Sequence, residues 1–70
     1  MSISDRKDEY DAMPDFALVR ELLRVNPFGG YSIGKRKGQL SRQNAIDTLL
    51  RYEYGPEAVK QWIAEHKEKP

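Results

Sequence analysis

The sequence predicts an all-α fold: a small domain of three helices with a long glycine-rich basic loop between the first and the second. Three observations carry that expectation. Apolar residues recur at spacings of three and four in three separate stretches, the signature of amphipathic helices. Proline and glycine punctuate the chain at the ends of those stretches rather than inside them. The chain has 70 residues and no cysteine, so one small core must hold it without a disulfide framework.

Residues 1–13 carry Asp5, Asp8, Glu9 and Asp11 against Arg6 and Lys7, with Ile3, Tyr10 and Met13 as sizeable apolar residues. That polar, acidic composition predicts a flexible N-terminal arm. A single helical domain then spans residues 14–70. Its first helix opens at Pro14, a residue suited to the first helical position, followed by Asp15 at the positive end of the helix dipole. Phe16, Val19, Leu22 and Leu23 fall at helical spacing, Leu18 and Val25 widen the stripe, and Arg20, Glu21 and Arg24 occupy the remaining surface. Asn26 closes the helix near Val25, because the residue before Pro27 is pushed out of helical geometry.

The segment from Asn26 to Leu40 contains Pro27, Gly29, Gly30, Gly34 and Gly38, which deny it helical propensity. A loop this long in so small a domain is uncommon and often functional. Within it, Tyr31-Ser32-Ile33 and Gln39-Leu40 can pair as a short β-hairpin around the turn Gly34 to Gly38. The second helix has Ser41 as its N-cap and Ala45, Ile46, Leu49 and Leu50 as its buried stripe. Gly55 supplies a left-handed residue at its end, and Pro56 opens the third helix at once. There Val59, Trp62 and Ile63 share one face, which His66 can join, and Glu65 to Lys69 forms an i,i+4 ion pair.

Charge is segregated along the chain although the formal net charge is only +1. The loop and the start of the second helix bring Lys35, Arg36, Lys37 and Arg42 together with no carboxylate between them. The first fifteen residues carry five acids, Asp5, Asp8, Glu9, Asp11 and Asp15, against Arg6 and Lys7. No apolar run is long enough for a membrane span or a secretory leader, so a cytoplasmic protein without membrane contact is expected.

Catalytic and metal-binding patterns fail in turn. Gly29-Gly30-Tyr31-Ser32-Ile33-Gly34-Lys35 follows a phosphate-binding loop for seven positions, but Arg36 stands where a serine or threonine must hold magnesium, and no strand precedes it. His66 is the one imidazole and has no partner for base catalysis or metal ligation. A non-enzymatic protein without cofactor or metal is the reading.

Recognition remains, and the loop is the candidate surface. Phe28, Tyr31, Lys35, Arg36, Lys37, Arg42 and Gln43 combine aromatic, cationic and amide side chains in one stretch. They suit a small regulatory or inhibitory protein that docks on a larger protein partner, where opposite-sign patches set register and on-rate. The alternative is a nucleic-acid-binding protein, a small DNA-binding regulator using the loop and the N-terminus of the second helix. Ser41-Arg42-Gln43-Asn44-Ala45-Ile46 with Leu49-Leu50-Arg51-Tyr52 resembles the second helix of ribbon-helix-helix repressors, which implies DNA contact. The likeness covers those residues alone, and no alternating strand precedes Pro14 to form the ribbon. The small core leaves little stability to spare, so a homodimer and a marginal monomer are both open.

Overall fold

The computed structural model describes residues 2–66. They form four helices: α1 (Ile3–Asp11), α2 (Asp15–Val25), α3 (Arg42–Tyr54) and α4 (Pro56–His66). The all-α class holds, and the expected count of three is corrected to four. The additional helix is α1, which stands where a flexible arm is expected. Of the anticipated Glu65–Lys69 pair, Lys69 lies outside the described residues.

Helix α3 is central, with α1, α2 and α4 each packed against it. Its Ala45, Ile46, Leu49 and Leu50 are fully buried, as their spacing predicts, and they meet Tyr10 of α1, Leu18 and Leu22 of α2 and Val59 of α4. The hydroxyl of Ser41 accepts from the Asn44 N–H at 3.2 Å, satisfying one of the donors left unpaired at the start of α3. Ser41→Ala is therefore expected to cost about 1 kcal/mol in urea unfolding. Gly55 ends α3 at φ 93°, a conformation that strains any residue with a Cβ. This allows α4 to begin immediately at Pro56.

Helix α1 forms for reasons that are mostly tertiary. Locally, Ser2 caps it by accepting from the Asp5 N–H at 3.1 Å, and Lys7 pairs with Asp11 at 2.9 Å. Such contacts contribute a few tenths to about 1 kcal/mol each, too little for a nine-residue helix in water. Its anchor is Tyr10, which is fully buried and donates its hydroxyl to the Glu53 carboxylate. Arg6 grips the same carboxylate through Nε and Nη2, each at 3.0 Å, and its guanidinium lies 4.6 Å from the centre of the Tyr10 ring. At the other end of the molecule's sequence, Trp62 Nε1 donates to Ser4 Oγ at 2.9 Å. Trp62 is thus half-buried at the α1–α4 boundary, stacked on His66 with centroids 4.7 Å apart, rather than deep in the core.

The Tyr10 cluster gives the fold two pH limits. Burial, reinforced by the hydrogen bond to Glu53, raises the Tyr10 pKa above its ordinary 10.0. A tyrosine raised in the folded state stabilises it fully below pH 10.0 and progressively less above, because there the unfolded chain sheds the proton first. Burial also acts to raise Glu53, but the hydrogen bonds from Arg6 and Tyr10 and the Arg6 charge outweigh it and bring Glu53 below 4.5. That contribution is present above pH 4.5 and fades as pH falls through the depressed value. Stability measured by urea unfolding is expected to decline on both sides of this plateau, and Tyr10→Phe should remove the tyrosine's share of the alkaline decline.

Among the described residues no strand forms. The hairpin expected in the loop is replaced by one parallel bridge between Ile33 and Leu40, in which the Leu40 N–H donates to Ser32 at 2.8 Å and the Gly34 N–H to Leu40 at 3.0 Å. The chain between these residues turns through Gly38, at φ 88°, and returns in the same direction instead of reversing. No helix is long and apolar enough to cross a membrane among the described residues.

Candidate functional site

The loop between α2 and α3 is anchored at its two ends and open in the middle. Ile33 and Leu40 are half-buried against the core, so the bridge between them pins the base of the loop. Arg36 N–H donates to the Gln39 side chain at 3.0 Å, and Gln39 N–H to the Arg36 carbonyl at 3.0 Å. This reciprocal pair shapes a tight tip that turns Lys35, Arg36 and Lys37 to solvent. Near the α2 end, Asn26 Nδ2 donates to the hydroxyls of Tyr31 at 3.3 Å and Tyr52 at 3.1 Å, which are themselves 3.1 Å apart. The three side chains tie the end of α2, the loop and α3 together. The hydrogen bond shared by the two hydroxyls, in which either can donate, and then the one from Asn26 lower the Tyr31 pKa, while the shared bond raises that of Tyr52.

The residues singled out from sequence separate into two groups here. Phe28 is 97% exposed, and Lys35, Arg36, Lys37 and Gln43 are exposed as well. Tyr31 is half-buried, with its ring on the core and its hydroxyl in the Asn26 cluster. Arg42 is the departure. Its guanidinium turns inward to Asp15 at 2.6 Å and to the carbonyls of Tyr10 at 3.2 Å, Asp11 at 2.8 Å and Met13. It caps the C-terminal end of α1 and ties it to the start of α2, so the basic surface keeps three of its four cations.

Helix α2 departs from the stripe its spacing predicts. Phe16 and Leu23, assigned to the buried stripe, are 70% and 37% exposed. The burial falls on Leu18 and Leu22, with Val25 beside them. The signal was present in the pattern: six large apolar residues, besides Ala17, in an eleven-residue helix are too many for one face. They divide into Leu18, Leu22 and Val25 on one side and Phe16, Val19 and Leu23 on another, each at three- and four-residue spacing.

Concave features are shallow. One depression beside the tyrosine cluster is lined by Thr48, Arg51, Tyr52 and Pro56, and two others flank α4. Among the described residues no group of three or more His, Asp or Glu side chains is placed to hold a metal ion. The ribbon-helix-helix likeness gains no support from the topology, since the segment before α2 is a helix rather than a strand. In comparisons with known proteins, the chain matches no protein-family model, no curated protein and no solved structure.

Proposed function

We propose that this chain is a non-enzymatic binding module that docks through the α2–α3 loop on a larger protein in the cytoplasm and regulates it by occupying a surface. The observation that carries the reading is Phe28, 97% exposed on a loop that also presents Lys35, Arg36 and Lys37. A phenylalanine kept in water forgoes about 1.5–3 kcal/mol of burial, and aromatic anchors ringed by polar groups are where protein interfaces concentrate their energy. The loop cations make no ion pair among the described residues. They are available to steer an acidic partner surface. DNA binding, the alternative, is weakened by the inward turn of Arg42: three phosphate contacts limit the salt dependence of log affinity to a slope of roughly −2.7.

A photoreactive benzoylphenylalanine at position 28, introduced in the cells that make the protein, tests the reading. A protein adduct is expected from position 28, resistant to nuclease, absent with the photoreactive residue at Ala58 on α4, and lost when Lys35, Arg36 and Lys37 are all replaced by glutamate. An adduct removed by nuclease, or none above the Ala58 control, overturns it.

A further inference from the structure

We infer that the outer face of α2 is a second docking surface, and that its occupant is an amphipathic helix of a partner protein with carboxylates along one edge. The inference rests on the protein-binding reading above, but it concerns a different face of the molecule. Phe16, Val19 and Leu23 sit at i, i+3 and i+7, on one side of the helix over a rise of about 10 Å. Phe16 is 70% and Leu23 37% exposed. The opposite side of α2 already supplies Leu18 and Leu22 to the core, so the fold does not need this second apolar row.

Charge beside the row selects the partner. Arg20 and Arg24 lie four residues apart along one edge of it. Arg20 has no ion-pair partner among the described residues, and Arg24, though paired with Glu21 at 2.9 Å, stays 61% exposed. The other edge carries Asp15, which Arg42 engages at 2.6 Å. A convex helical row is best met by the grooves of another helix, and guanidinium groups pair with carboxylates through two parallel hydrogen bonds.

A second copy of this chain fits poorly. Antiparallel two-fold pairing of α2 with itself brings like edges together, arginines against arginines. Parallel pairing sets the arginines against an edge whose carboxylate, Asp15, is already taken. Complementarity therefore requires a foreign, acidic helix.

The test uses the full chain and two fluorescein-labelled synthetic helical peptides, each with leucines spaced three and four apart, one edged with glutamate and its twin with lysine. Polarisation is expected to show the glutamate peptide binding at least tenfold more tightly, with amide shift changes centred on Phe16, Val19 and Leu23. Arg20→Glu with Arg24→Glu should reverse the preference between the peptides. Phe16→Ser, at an exposed position, should lose binding while leaving the thermal midpoint unchanged, and glutamate at 35, 36 and 37 should change affinity by less than twofold. Shift changes confined to the loop and lost in that triple variant would sink the ridge while leaving the loop reading standing. Equal binding of both peptides, or of neither, overturns the inference, and the photocrosslink at position 28 tests the loop independently. A concentration-dependent dimer abolished by Phe16→Ser would assign the ridge to a second copy instead, and anionic vesicles bound only by the unsubstituted chain would assign it to a membrane.

Discussion

Replacing Tyr10 with alanine is expected to cost about 3–5 kcal/mol, the range for truncating a large buried aromatic. For 70 residues total stability is on the order of 3.5–10 kcal/mol, so this single change removes a large part of it. The loss has several sources. The ring is fully buried, its hydroxyl holds Glu53, and its face carries the Arg6 guanidinium. Tyr10→Phe separates them: packing survives, and Arg6 still satisfies Glu53, so a cost of about 1 kcal/mol is expected from the missing hydroxyl alone. Urea denaturation of both variants gives the comparison. A cost below about 1 kcal/mol for the alanine variant would mean that α1 does not rest on α3.

Arg42→Ala should be the next most damaging change, at about 2–4 kcal/mol. It removes one ion pair and leaves the carbonyls of Asp11 and Met13 without their donor, while that of Tyr10 keeps the Met13 N–H at 3.0 Å; bonds to a charged group are each worth about 1.5–3 kcal/mol. One third of the Arg42 side chain remains exposed, and water will satisfy part of what is lost, which keeps the expected total below the sum. Arg42→Lys should recover less than half, because one ammonium cannot span three carbonyls and a carboxylate as a planar fork does. Hydrogen exchange should show the α1 amides losing protection before those of α3 in both variants. Equal protection in α1 and α3 after Arg42→Ala would assign the clamp no holding role.

What could be read from the sequence follows how local each cause is. Ser41, Gly55 and Pro56 act within a few residues, so the bounds of α3 and the start of α4 were legible. The core stripe of α3 was legible too, because Ala45, Ile46, Leu49 and Leu50 repeat at helical spacing. Helix α1 was not, since its fastenings join Arg6 to Glu53, Ser4 to Trp62 and Arg42 to the turn after Tyr10. Ser2 followed by Asp5, and Lys7 by Asp11, were faint local signs of it. Arg42 held a second clue. A cation in the first turn of a helix opposes the dipole, and such a misfit points to an obligation elsewhere in the fold. For the loop, exposure of Phe28 follows from its place after Pro27 in a glycine-rich segment; the withdrawal of Arg42 from the basic cluster does not.

The long sequence separations of the α1 fastenings also order events during synthesis. Residues 3–11 leave the ribosome ahead of α2, α3 and α4, yet their carboxylate at Glu53 and the indole at Trp62 are translated 47 and 58 residues after the groups they bind. Until then α1 has only its local contacts, too weak to hold a helix of that length. Residues 3–11 are therefore expected to remain open chain while α2 and α3 associate through contacts with shorter closing loops. Docking of α1 is expected to follow that association, and until then the apolar surface that Tyr10 covers stays open to solvent and to other chains.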